Sequence, residues 1–142
     1  MTTILIRDGE IITMNPAREI LSGSIYIEDG RIAEIPSNRE SADQVIDAFG
    51  KLVLPGFVQV HVHLNQTLFR GMADDLDVVD WLRLRIWPLE QAHRPESVYA
   101  SARLSIAEMI RGGTTTALTI ETTNFTEAAF QAALEMGFRA VI

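Results

Sequence analysis

The sequence contains no cysteine, so disulfides, thiolate metal sites and cysteine nucleophiles are all excluded. No apolar run is long enough to span a bilayer. The N-terminal stretch Met1-Thr-Thr-Ile-Leu-Ile-Arg-Asp8 lacks the basic segment and apolar core of a secretory leader. Basic charge is short as well: twelve Lys and Arg stand against nineteen Asp and Glu, a formal charge of −7. That balance argues against a nucleic-acid backbone or an anionic membrane as partner. A soluble cytoplasmic protein is the expectation. What is present is ordinary for a globular chain, since 142 residues with 47% apolar content suffice for one domain with a real core.

Histidine is sparse, and two of the three histidines share the stretch Leu52-Val-Leu-Pro-Gly-Phe-Val-Gln-Val-His-Val-His-Leu64. Val58, Val60 and Val62 alternate there with Gln59, His61 and His63, a period of two that puts both imidazoles on one face of a strand. Pro55-Gly56 sets a turn just before it. Two neutral imidazoles at i and i+2 are suited to a borderline divalent metal. The same pair could instead cap the strand through backbone carbonyls. The third, His93, lies in a polar lead-in to a helix and reads as a surface or capping residue.

Up to Leu54 the pattern is one of short strands. Thr3–Ile6 and Glu10–Thr13 flank Asp8-Gly9, which predicts a first hairpin. Ser24–Glu28 and Arg31–Ile35 flank Asp29-Gly30, which predicts a second with a two-residue turn. Ile25, Ile27, Ile32 and Ala33 do not share one simple face, so the register stays open. Gln44–Asp47 and Lys51–Leu54 read as two more strands, and the segment as antiparallel scaffold, a small sheet or half of a sandwich. Beyond His63 the periodicity changes. Asp80–Trp87 fits a short helix that Pro88 ends or kinks, and the acidic cluster Asp74, Asp75 and Asp77 serves the start of a helix at Val78. Pro95 opens a long helix that Gly112-Gly113 stops at Arg111. Thr114–Ile120 is strand-like, Thr126–Met136 helical, and Arg139–Ile142 begins another strand. Strand, helix, strand, helix, strand is the order of a parallel α/β fold. An apolar strand in mid-pattern at Ile142 leads us to expect the front part of a longer polypeptide, or one piece of a split protein that needs a complementary chain.

Several blocks together resemble the metal-dependent amidohydrolase superfamily: Leu54-Pro-Gly-Phe-Val-Gln-Val-His-Val-His-Leu64, Gln66-Thr-Leu-Phe-Arg-Gly-Met-Ala-Asp-Asp75, Ile86-Trp-Pro-Leu-Glu90 and Arg111-Gly-Gly-Thr-Thr-Thr116. They look like its chlorohydrolase and aminohydrolase branch, which holds the triazine hydrolases, guanine deaminase and the methylthioadenosine/S-adenosylhomocysteine deaminases. The resemblance implies an α/β fold: part of a small β-sandwich over residues 1–54, then the first β/α units of a (β/α)8 barrel over 55–142, the barrel being incomplete. It implies one divalent metal, zinc or else iron, held partly by His61 and His63 at the carboxyl ends of the strands. Further ligands and the proton-transferring residues of that family fall beyond strand 3, so no catalytic residue is assigned in this chain.

The resemblance also matches Glu90 to a glutamate that receives ribose hydroxyls, a role its carboxylate can fill by accepting two hydrogen bonds. Gln66 and Phe69 follow the histidine strand closely enough to line a pocket, and Trp87 could stack on a flat heterocycle, with a core role open for both aromatics. Arg70 reads as an ion-pairing, loop-fixing residue. The implied reaction is hydrolytic deamination of a purine, nucleoside or related N-heterocycle, with metal-bound hydroxide attacking the amino-bearing ring carbon. Triazine dechlorination, a binuclear cyclic-amide hydrolase and a non-catalytic structural or binding module stand as alternatives, and a homo-oligomer stays open.

Overall fold

The computed structural model describes residues 2–121 and 124–142. The chain divides into two compact units, Met1–Pro55 and Gly56–Ile142.

The first unit is a five-stranded sheet built on β1 (Thr3–Ile12). Along one edge β1 pairs antiparallel with β2 (Ile20–Glu28), which pairs antiparallel with β3 (Arg31–Ser37). The expected turn at Asp29-Gly30 is there: Glu28 faces Arg31, and both turn residues have positive φ, 47° and 74°. That pair of left-handed conformations is what a two-residue turn between twisted strands requires. The register left open between β2 and β3 is broken by irregularities on either side of Tyr26, so the isoleucines cannot follow one alternation.

The expected hairpin at Asp8-Gly9 is not formed. Thr3–Ile12 is one continuous strand, and Asp8 (φ 60°) sits in a bulge between the Ile6–Ile25 and Gly9–Gly23 pairs. Arg7 and Asp8 together oppose Ser24, whose hydroxyl accepts the Asp8 N–H at 3.2 Å. A Cβ on Gly9 would come within 2.7 Å of Val53 Cγ2, so the glycine here serves close packing and not reversal of the chain.

β4 (Gln44–Asp47) and β5 (Leu52–Val53) are strands as expected, but both run parallel to β1 along its other edge, on either side of the bulge. The antiparallel strands expected from the sequence are present in β1 to β3, but β4 and β5 depart from that pattern. The chain leaves β3 and returns to the far edge of the sheet, where it arrives in the same direction as β1.

The second unit is a parallel three-stranded sheet, β6 (Phe57–Val62), β7 (Thr114–Thr119) and β8 (Arg139–Val141), in that order. Helix α3 (Pro95–Arg111) connects β6 to β7, and α4 (Thr126–Glu135) connects β7 to β8. Pro95 supplies a preset φ for the first turn of α3, Glu96 lies at its start and Arg111 at its end, each favourable to the helix dipole. The core joins Leu64 to Val98, Ala102 and Ile106 of α3, Ala117 of β7 and the alanines of α4, closed off by Phe138. Strand, helix, strand, helix, strand with parallel pairing is the expected α/β arrangement; among the described residues the three strands do not close into a barrel.

Between β6 and α3 the chain makes a 3₁₀ helix (Leu64–Phe69) and then a helical run. The run starts as α1 (Val78–Trp81), capped by Asp77, whose carboxylate accepts from Val79 and Asp80 at 3.0 and 3.1 Å. It neither ends nor breaks at Pro88. A π-helical turn over Leu82–Ile86 leads directly into α2 (Trp87–Gln91), with Pro88 in its first turn. The Arg85 guanidinium donates to the Leu84 carbonyl at 3.0 Å, the acceptor that an α-helical N–H at position 88 would have faced.

Candidate metal and substrate site

The two histidines expected as a pair lie at the carboxyl end of β6, His61 within it and His63 one residue past it. Their rings are 4.9 Å apart at 85°, edge to face. His63 Nδ1 is hydrogen-bonded to the Ile120 carbonyl, so this nitrogen carries the proton and Nε2 keeps its lone pair. Such a pair of imidazole donors fits half of the tetrahedral set a divalent metal takes. Among the described residues no group of three or more His, Asp or Glu is placed to hold an ion.

Behind His63 the 3₁₀ helix turns Gln66 and Phe69 towards a cavity of about 380 Å³, which His63 also lines. Trp81 and Ile86 close part of its wall. Trp87, expected to stack on a ring, is 51% exposed and does not line this cavity. Glu90 is half-buried and accepts the Gln66 side-chain N–H at 2.8 Å, so two of the expected substrate contacts are joined directly. Arg70 forms a two-pronged pair with Glu108, at 2.6 and 3.0 Å, consistent with a loop-fixing role. Both side chains are largely solvated, which makes this pair a weak source of stability.

His93 is corrected: it is a buried residue, 7% exposed, stacked on Phe69 at 5.0 Å. Its Nε2 bonds the Asn65 carbonyl and its Nδ1 the Ser97 hydroxyl, each at 2.8 Å. Opposite a carbonyl Nε2 donates, while the Ser97 hydroxyl lies within reach of both Nδ1 and the Arg94 carbonyl, the latter at 3.0 Å. A polar sequence neighbourhood concealed this, because the partner that buries the ring lies 28 residues earlier.

Sequence reasoning also missed Glu121. Its carboxylate accepts the Leu64 N–H at 2.8 Å and the Asn65 N–H at 3.0 Å. The available signal was positional: a carboxylate just beyond β7 is next to the end of β6 in any parallel β6–β7 pairing.

Parallel β/α order, paired imidazoles at a strand's carboxyl end and a cavity beside them are the arrangement in which barrel hydrolases build their sites. The chain belongs to the amidohydrolase family, whose sequence profile matches residues 52–142. Over 117 residues, 81% of this chain and 27% of the relative, it is 49% identical to a 5'-deoxyadenosine deaminase of Methanosarcina mazei. A solved triazine hydrolase from Arthrobacter aurescens superposes with a TM-score of 0.83 at 25% identity, covering 99% of this chain and 35% of that one. An adenosine deaminase from Xanthomonas campestris, solved with bound zinc, gives 0.82 at 32% identity, covering 97% and 33%. The chain thus spans about a third or less of the length of the relatives it matches.

Proposed function

We propose that this chain supplies the metal-binding strand end and part of the substrate pocket of a hydrolytic deaminase acting on a purine nucleoside or related N-heterocycle. The observation that carries the reading is that Gln66, in the loop directly after the His61–His63 pair, lines one cavity with His63 and is hydrogen-bonded to Glu90 of α2. Similarity to a 5'-deoxyadenosine deaminase and to a zinc-bound adenosine deaminase supports both the reaction class and the metal.

A zinc ion, or iron, held partly by His61 and His63 would supply Lewis acidity and a more acidic bound water. His63 contributes a fixed tautomer, with Nδ1–H on the Ile120 carbonyl and Nε2 free to ligate. Glu90 orients the sugar of a nucleoside by accepting its hydroxyl protons, and Gln66 holds that carboxylate in place. Neither takes part in bond breaking. Residues 1–54 form the front of a β-sandwich and 55–142 the first units of the barrel.

The test is ammonia release by the full-length polypeptide from adenosine, 5'-deoxyadenosine, methylthioadenosine, guanine and an amino-triazine, with metal content measured alongside. Zinc-dependent deamination of the ribosylated substrates is expected, at one metal per chain. Two metals with activity on cyclic amides, or no metal and no turnover, would overturn it.

A further inference from the structure

We infer that Glu121 is a positioning residue for the metal-binding end of β6, acting with Ser101 and His93 as a clamp on the backbone just after His63. The inference rests on the metal reading above and adds residues that the reading does not use. Four polar groups of the Ile120–Glu121 dipeptide engage residues 62–65. The Ile120 N–H donates to the Val62 carbonyl at 3.1 Å, and the Ile120 carbonyl accepts His63 Nδ1–H. The two oxygens of Glu121 take the N–H groups of Leu64 and Asn65.

The matching carbonyls are held from the other side. Ser101 of α3 donates to the Leu64 carbonyl at 2.8 Å, and His93 Nε2–H to the Asn65 carbonyl at 2.8 Å. All four backbone polar groups of Leu64 and Asn65 are therefore bonded to side chains, from three separate parts of the chain. Leu64, Asn65 and Ser101 are almost completely buried, at 0, 1 and 0% exposure, so these groups have no water to turn to. An ionised carboxylate accepting two amide protons makes stronger, shorter bonds than a neutral acceptor.

Such a clamp lies between two features of function. On one side it fixes the backbone that carries His63, and with it the direction of Nε2. On the other it fixes the first turn of the 3₁₀ helix, which carries Gln66 to Glu90. Groups that orient a metal ligand from behind change metal affinity by about 10- to 100-fold when lost. Glu121 touches neither metal nor substrate; its effect passes through the backbone.

The experiment uses Glu121→Gln and Ser101→Ala in the full-length polypeptide, with His63→Ala as reference. In metal-free protein, hydrogen–deuterium exchange at the Leu64 and Asn65 amides should speed up in Glu121→Gln. Zinc affinity, measured by chelator competition, should fall about tenfold, and the visible spectrum of the cobalt-substituted protein should shift. If Glu121→Gln does not fold, Ser101→Ala, which removes one bond to a carbonyl, is read by the same measurements with the same expectation. Unchanged exchange, or zinc affinity within twofold of wild type in the folded variants, overturns the clamp. If His63→Ala retains wild-type zinc affinity, the metal reading falls and takes the clamp with it. Normal zinc binding in Glu121→Gln alone sinks only the clamp.

Discussion

Gln66 and Glu90 are 24 residues apart in sequence, yet the Gln66 side-chain N–H reaches the Glu90 carboxylate at 2.8 Å. The bond ties the loop after β6 to α2 and leaves Glu90 only half exposed, with its second oxygen still able to accept from a ligand. Glu90→Ala should therefore lower kcat/KM for ribosylated substrates by about tenfold or more, the scale for losing one charge-assisted hydrogen bond, with little effect on free bases. Gln66→Ala should give a smaller loss in the same direction, since Glu90 keeps its charge and loses its support. A substrate panel measured on both variants checks this, and equal losses on ribosylated and free substrates would remove the nucleoside assignment.

His61 and His63 are not equivalent, although a period of two makes them look so. His63 is half-buried and anchored through Nδ1 to Ile120, whereas His61 is exposed within β6. Either change to Ala should abolish zinc retention through dialysis, because each takes one donor from a minimal set. Replacements that delete the whole side chain should separate the two. Imidazole added to the solution should restore part of the zinc binding in His61→Gly, whose site is open, and much less in His63→Gly, where the ring's direction is set by the Ile120 carbonyl. Equal rescue, read by metal analysis after gel filtration, would contradict the asymmetry.

Asp43 gives the first unit a pH dependence. Its carboxylate accepts from the Thr3 N–H at 2.8 Å and from the Thr3 hydroxyl at 2.9 Å. These bonds, the backbone one foremost, hold its pKa below the ordinary aspartate value. The folded state thus favours the ionised form, and the stabilisation is present above the unfolded pKa of about 3.9. It is lost as pH falls through the lower folded value. Asp43→Asn should be less stable than wild type at pH 6, and the gap in urea midpoint should shrink steadily below pH 4. A gap that does not vary with pH would refute the assignment.

The features legible in the sequence were those fixed by local chemistry. Asp29-Gly30 could form its turn because only two left-handed residues are needed there. Pro95 and Gly112-Gly113 bracket α3 for the same local reason, and Asp77 capped the next helix where its side chain could reach two amides. Asp8-Gly9 carries the same turn chemistry, but its fate was decided by β4 and β5 packing beside β1, with Val53 against Gly9. Pro88 would stop an α-helix, yet a preceding π turn absorbs it. At the site, His61 and His63 were visible through alternation alone. The roles of His93 and Glu121 depend on backbone groups 28, 56 and 57 residues away, which no window of sequence contains.

Gly56 controls how closely the start of β6 approaches β7. A Cβ placed there would lie 2.2 Å from Thr115 Cγ2, 2.4 Å from its Oγ1 and 2.8 Å from its Cβ. Rotating Thr115 could move the first two atoms but not the third, so Gly56→Ala must push the strands apart. The adjacent bond, Phe57 N–H to the Gly113 carbonyl at 2.8 Å, would stretch first. Overpacking of this kind costs roughly 1–3 kcal/mol. Thr115→Gly removes all three atoms, and in that background Gly56→Ala should lose most of its cost. A double-mutant cycle on denaturation midpoints isolates the coupling from the separate penalty of placing Gly in a strand. A cost for Gly56→Ala that is the same in both backgrounds would place its origin elsewhere than the Thr115 contact.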